Sequence, residues 1–553
     1  MNKSKVSCFF LVAISIFSWV ACQKKEIKDF VPVIQNGIQI NTVPMGNKWK
    51  AADGYIFCSG KGDDFDNMMY SSFYVNDNDF HVKMKISFDT IGETTSIFLF
   101  FNNHFGFDSD DKGPGTKERL FMYTPKYDSL LYFQPSAEMF SPNVPFQFEV
   151  IRTGDSISFL IDQHLVTKQS TDFFSGPLRG SMGIRPWRNR IKIYDWAISG
   201  QTEPFPDIDY VFKNGEGEYA CFRIPAIIQA KNGDLLAFAE GRKNSCRDNY
   251  DVDMVMKKST DNGQTWGPLV LIWNDSTNTC GNPAPIVDLE TGRVLLFVNW
   301  QLGSDRIEAI KSRTSTDTKR MFLFTSNDNG DSWSEKREMT SQMKLPGWDS
   351  FVAGPGSGLQ MRNPTYKNRM VLPCHFSTIE NGKIEIKSNL IYSDDGGDNW
   401  VIGGISPETD NNECEVAEIS NGGLMVNMRK ASKRISARSV AYSFDGGATL
   451  ENQHFDDELI GPTCMASLDN YVAENGKLVC LFANPNHQFS RENLTIQRSF
   501  DDGETWEKFQ TVFKGYSGYS DLVPMQNGQV GIIFECGKIR YSDGLAFRSY
   551  DWE

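Results

Sequence analysis

One eight-residue pattern recurs five times and constrains the fold more than any other feature. Ser259-Thr260-Asp261-Asn262-Gly263-Gln264-Thr265-Trp266 returns as SNDNGDSW at 326–333, SDDGGDNW at 393–400, SFDGGATL at 443–450 and SFDDGETW at 499–506, at intervals of 67, 67, 50 and 56 residues. Each copy follows a strand-like run such as MFLFTS (321–326) or LTIQRS (494–499). In such a box the Asp carboxylate satisfies turn amides, Gly supplies a positive φ, and Trp packs sideways into its own sheet. Recurrence at every unit makes these Asp residues scaffold rather than acid or metal groups. Residues 205–553 number 349, which a mean interval of 60 divides into close to six units, one of them lacking a recognisable box. Four-stranded repeats of that size are propeller blades, and six are predicted.

The rest of the chain is also β-patterned. Aromatics are 13% of the 553 residues, alongside 46 Gly and 23 Pro, which favours short strands and turns over long helices. FHVKMKISF (80–88), SIFLFF (96–101) and FQFEVIRTGDSISFLID (146–162) alternate with period two, with a compact turn at Thr153-Gly154-Asp155, and MGIRPWRNRIKIYDWAISG (182–200) closes the stretch. The expected fold is all-β: a six-bladed β-propeller over 211–553, preceded by a jelly-roll or lectin-like β-sandwich over 41–200, with linkers at 22–40 and 201–210. Trp187 and Trp196 read as core residues or as sugar-stacking platforms of a carbohydrate-binding module. The acidic loop FDSDDKG (107–113) reads as solvated, because its oxygen ligands follow no calcium spacing.

Residues 1–21 have basic Lys3 and Lys5, a short apolar run and small Ala21, the pattern of an export signal. Ala21-Cys22 followed by Gln23, Lys24 and Lys25 is similar to a bacterial lipoprotein signal, which implies lipidation at Cys22 and an exported protein, periplasmic or at the cell surface, held to a membrane only by its anchor. Of 11 Cys, Cys8 is in the signal and Cys22 is the anchor, so an odd nine remain; most are expected in the core, with a disulfide or two. Cleavage moves the formal net charge from -14 to -16, which argues against a nucleic-acid partner and sits oddly with an anionic substrate. No HExxH or P-loop is present, GPGSG (354–358) is too short for a nucleotide site, and six His make a His-based metal centre unexpected.

Phe222-Arg223-Ile224-Pro225 followed by the repeated boxes resembles the bacterial sialidases (exo-α-neuraminidases) over about 205–553. The resemblance implies hydrolysis of terminal sialic acid from glycans, glycoproteins or glycolipids, with retention and no cofactor or metal. Sialic acid carries a carboxylate on its anomeric carbon, and Arg forks hold such a group bidentately. Matched residue by residue, the family's three-Arg clamp falls on Arg223, on Arg429 at the end of GGLMVNMR, and on Arg491 in NPNHQFSRENLTIQRS. A carboxylate nucleophile would meet a like charge there. The Tyr nucleophile of sialidases, a known exception to the two-carboxylate rule, avoids it.

That Tyr maps to Tyr519 in GYSDLVPMQNGQVGIIFE, with Tyr516 as the rival, and the base that activates it to Glu413, with Glu415 and Glu418 nearby. Glu535 is expected to orient Arg223. The acid/base Asp maps to Asp248 in AEGRKNSCRDNYDVDM, with Asp251 and Asp253 as alternatives, and Arg242 is expected to reach a sugar hydroxyl. The family commonly has Gly where Tyr250 stands. A trans-sialidase shares every residue named. A non-catalytic sialic-acid-binding lectin would typically lose Tyr, Glu or Asp, and a glycosidase of neutral polysaccharide needs no Arg clamp.

Overall fold

In the computed structural model, residues 29–552 are described except 45–47, 59–66, 77–78, 90–94, 101–102, 109–118, 125–128, 134–140, 175–179, 187–189, 433–435 and 474. The expected export signal, Cys22, Trp187 and most of the acidic loop therefore lie outside the described residues. The described residues are all-β, with short helical turns such as Ile307–Lys311 between strands.

The repeat forms six blades, each a four-stranded antiparallel unit. Blade 1 runs Cys221–Gln229, Leu235–Arg242, Val252–Ser259 and Val270–Trp273 from inside to outside, and blades 2 to 5 repeat this order along the chain. The long strand Glu507–Pro524 is shared: its first part is the outer edge of blade 5 and its second part, paired with Gln529–Gly537, is the inner strand of blade 6. Blade 6 is completed by Tyr210–Lys213, which pairs with Gly544–Asp551. The blade without a box is thereby explained. Boxes sit in the turn between third and fourth strands, and in blade 6 those strands come from opposite ends of the chain, so no such turn exists.

Each box folds as its sequence requires. Ser259 Oγ accepts from Gly263 N at 2.8 Å, and Asp261 Oδ1 accepts from Thr265 N at 2.9 Å. Gly263 has φ +85°, and a Cβ there would lie 2.1 Å from the Phe547 ring of blade 6. The third-blade copy repeats the arrangement: a Cβ on Gly397 would meet Leu295 of blade 2 at 2.2 Å. The Trp residues divide. Trp266, Trp333 and Trp400 contact Phe547, Phe238 and Phe297 of the preceding blade, whereas Trp506 packs on Phe482 of its own blade, as expected. Most boxes are thus seams between blades, where a large ring is buried against the neighbour.

The N-terminal part has a nine-stranded and a seven-stranded sheet around one apolar core that includes Val82, Phe148, Phe159 and Ile193. The hairpin at 153–156 forms with Gly154 and Asp155 as its turn. Val31–Gln35, in the stretch read as linker, is a strand paired with Ile191–Ser199, and Thr202–Pro204 of the second linker pairs with Phe73–Val75. Trp196 is fully buried in the core, which removes it as a sugar platform. Among the described cysteines, Cys221 and Cys246 form a disulfide, and the other seven are buried.

Candidate active site

Five of the six inner strands carry one extra residue near their start. The register slips at Arg223/Ala226, Gly281/Ala284, Trp348/Phe351, Asn411/Cys414 and Ser517/Ser520. Such bulges bend a strand and re-aim its side chains. Here they turn residues from several blades toward one cavity of about 600 Å³ at the same end of the propeller. Glu413 and Tyr519 are themselves bulge residues, and Arg223 is the last paired residue before one. Ile224, next in that bulge, has φ +57°, a costly conformation for a β-branched residue. Its amide is held by Glu535 Oε1 at 3.1 Å.

Glu535, fully buried on the second strand of blade 6, organises the clamp. It accepts from Arg223 Nε at 2.9 Å and Nη2 at 3.2 Å, and from the Tyr519 amide at 3.1 Å. Tyr519 stands among three guanidinium groups. Arg429 Nη1 donates to its hydroxyl at 2.7 Å, and Arg223 and Arg491 lie 5.5 and 5.4 Å from its ring centroid. Arg491 donates to Thr463 O at 2.9 Å and has no carboxylate partner among the described residues. The Tyr519 hydroxyl donates to Glu413 Oε1 at 2.6 Å, while Arg429 also binds Glu413 Oε2. Burial raises the Tyr519 phenol well above its ordinary range against the pull of Arg429. Glu413 goes the other way: burial opposes its ionisation, but Arg429 and His375 outweigh that and hold it below the usual carboxylate range. The pair is therefore a neutral phenol beside an ionised carboxylate.

Asp248 projects into the cavity from the loop after blade 1's second strand, its side chain 83% exposed. It accepts from Arg242 Nη1 at 2.9 Å and Arg223 Nη1 at 3.1 Å, and these cations depress its pKa despite partial desolvation. Arg242 lines the cavity, but its side chain is fully buried, bound to Glu240 Oε2 at 2.9 Å through Nε and to the Cys246 carbonyl. Its place is to hold the Asp248 loop. The disulfide from Cys221 to Cys246 does the same from the other side. Tyr250, at the position where Gly is common, has φ +87°, so the loop keeps the left-handed turn that Gly would make easily.

The neighbouring residues that sequence left open separate cleanly. Asp253 is fully buried under Tyr219 Oη at 2.9 Å and Asn274, and Asp251 pairs with Lys243 at 3.4 Å; neither lines the cavity. Glu415 lies deeper along the propeller axis, and Glu418 binds the amides of Arg362 and Asn363 at 3.0 and 2.7 Å. Tyr516 packs against the N-terminal core. Two residues that sequence reading passed over belong to the site. Tyr541 faces both Arg223 and Arg491, with ring centroids 5.3 and 4.8 Å from their guanidinium carbons, and Glu240 holds Arg242. The i, i+2 spacing of Glu240 and Arg242 was the available signal; Tyr541 follows a strand end and had none.

Residues 233–532, more than half of the chain, match the family model described as the BNR repeat-like domain. The chain belongs to the BNR repeat-like family. Curated relatives include a sialidase of Bacteroides fragilis (strain YCH46), 33% identical over 341 residues that cover 58% of this chain and 61% of the relative. A sialidase of Micromonospora viridifaciens is 32% identical over 348 residues, covering 60% of this chain and 52% of the relative. The BNR chain thus spans about half to three fifths of the length of these relatives. Among solved structures, the Hadza microbial sialidase Hz136 shares the fold with a TM-score of 0.56 and 22% identity, over 94% of this chain and 98% of that one.

Proposed function

We propose that the protein is an exo-α-sialidase that releases terminal sialic acid from glycans, glycoproteins or glycolipids with retention of configuration. The observation that carries this reading is the Tyr519 hydroxyl, 2.6 Å from an ionised Glu413 and surrounded by Arg223, Arg429 and Arg491. A substrate carboxylate seated on the three Arg sets the anomeric carbon beside Tyr519. The phenolic oxygen attacks that carbon as its proton passes to Glu413, and Asp248 protonates the departing glycosidic oxygen. Water, deprotonated by Asp248, then displaces Tyr519, which recovers its proton from Glu413.

The free site holds Asp248 ionised through Arg242 and Arg223. The substrate carboxylate competes for Arg223 and adds a negative charge, so it raises the Asp248 pKa in the complex. The acid is thereby armed by the substrate it serves.

Tyr519→Phe tests the reading: turnover of a 4-methylumbelliferyl sialoside should fall by at least about a hundredfold, and full turnover would remove Tyr519 as nucleophile. Mass detection of free sialic acid from α2-3, α2-6 and α2-8 sialosides, with an acceptor sugar present, separates hydrolysis from transfer. The export signal ending at Ala21-Cys22 supports a lipid-anchored protein outside the cytoplasm, and the Cys221–Cys246 bond suits an oxidising compartment. Metabolic labelling with a radioactive fatty acid, lost in Cys22→Ser, tests the anchor.

A further inference from the structure

The cavity carries more positive charge than one carboxylate requires. Eight basic side chains line it against four carboxylates. The carboxylates Asp248, Glu240 and Glu413 are engaged by Arg223, Arg242 and Arg429 on the clamp side. Blades 1 and 2 also contribute to the lining Arg247, next to the acid in sequence, and Arg306, Lys311 and Lys319, from the excursion between Val294–Gln301 and Arg320–Ser326. None of these four has an ion-pair partner among the described residues, and the one carboxylate on this wall is exposed Glu308. Beside them the buried Nδ1 of His375 has no hydrogen-bond partner in the described structure.

These cations are crowded and partly buried. Burial pushes the Lys319 ammonium down to about 8 and Lys311 adds to the depression, although Glu240, Asp248 and Glu413 pull the other way. Burial lowers Lys311 as well, opposed by Glu308 and reinforced by Arg429. Cations gathered in a cleft without direct ion-pair partners raise the local concentration of an anion and relieve their own repulsion by binding it. A substrate with a single carboxylate, seated on Arg223, Arg429 and Arg491, leaves this wall uncompensated.

We propose that Arg247, Arg306, Lys311 and Lys319 form a second anion-binding wall of the same site, selecting sialosides that bear a further negative charge next to the scissile linkage. The charge is the carboxylate of a penultimate sialic acid or a sulfate ester on the penultimate sugar. This inference rests on the sialidase reading above and names the substrate class of that site.

The test compares kcat/KM of the full chain on an α2-8-linked disialoside, the same disialoside with its inner carboxylate amidated, a sialyl-lactosamine sulfated on the penultimate sugar, and 3′-sialyllactose. At least one dianionic substrate should exceed its monoanionic counterpart by about tenfold at low salt, with the advantage shrinking as ionic strength rises through 0.5 M. Which arm shows it identifies the source of the charge. Lys311→Met/Lys319→Met should abolish the advantage while kcat/KM on 3′-sialyllactose stays within about threefold of the parent. Arg306→Glu, on the exposed rim, carries the same expectation should the double variant not fold. Equal rates on dianionic and monoanionic substrates, or an advantage that survives both variants, overturns the second wall while leaving the sialidase reading intact. Release of no sialic acid from any arm overturns both.

Discussion

Replacing Cys221 and Cys246 by Ser should damage acid catalysis selectively. The bridge joins residues 25 apart, and each half stands two positions before a proposed site residue, Arg223 on one side and Asp248 on the other. In the chain-entropy model a closed loop of that length restricts the open ensemble by about 3.5 kcal/mol. What would remain to hold the Asp248 loop is a few single contacts. Asp248 is exposed and its ion pairs with Arg242 and Arg223 are partly screened, so they contribute about 1 kcal/mol; the loop backbone keeps bonds from Arg242 to the Cys246 carbonyl, from the Tyr250 amide to Gly303 O at 3.0 Å and from the Thr279 hydroxyl to Tyr250 O at 2.8 Å. The carboxylate clamp does not depend on the bridge, because Arg223 is fixed by Glu535.

The assay follows from that asymmetry. A phenolic leaving group such as 4-methylumbelliferone departs without a proton, whereas lactose needs one. The Cys221→Ser/Cys246→Ser protein should lose about 10- to 100-fold in kcat/KM on 3′-sialyllactose and less than about threefold on the 4-methylumbelliferyl sialoside. Dithiothreitol on the parent protein should reproduce the split. Equal losses on both substrates, or no loss on either, would refute the idea that the disulfide positions the acid.

Other consequences can be checked the same way. Glu535→Gln removes the charge that fixes Arg223 and weakens the hold on the Tyr519 amide, so KM should rise and kcat fall, together at least about tenfold in kcat/KM, at an unchanged far-ultraviolet spectrum. Asp521 on the propeller axis is pushed up to about 7 by burial. Its raised folded pKa means that stability is greatest below the unfolded value near 4 and is lost as pH rises toward 7, by about 4 kcal/mol in full. Asp521→Asn should therefore gain melting temperature over the parent as pH goes from 4.5 to 8, and a pH-independent difference would contradict the assignment. Tyr250→Gly relieves a φ of +87° and should keep activity while raising unfolding free energy by up to about 1 kcal/mol, read by denaturant titration.

Neighbouring candidates show where sequence reading stops. Glu413 and Glu415 share parity, so period-two alternation sends both to the same face; their depth along the axis separates them, one reaching Tyr519 and the other facing Gly356, where a Cβ would come within 1.5 Å of Glu415 Oε1. Tyr516 and Tyr519 follow the same Gly and precede the same Ser, yet a bulge between Ser517 and Ser520 turns the second toward the cavity and leaves the first on the N-terminal core. Arg242 was legible as a site residue, but its burial against Glu240 was not, since it depends on Gly281 of the next blade leaving room for the Glu240 carboxylate, where a Cβ would come within 2.3 Å of Oε1.

The sequence by itself determined the repeat unit, the turn chemistry of each box and the residue types of the candidate site, because these depend on contacts within a few positions along the chain. Tertiary structure alone decided which strand closes the ring, that three of the box Trp residues join adjacent blades, and which Asp, Glu and Tyr meet. Those outcomes depend on one-residue bulges and on groups hundreds of positions apart, such as Arg223 and Glu535, for which no local pattern carries a register.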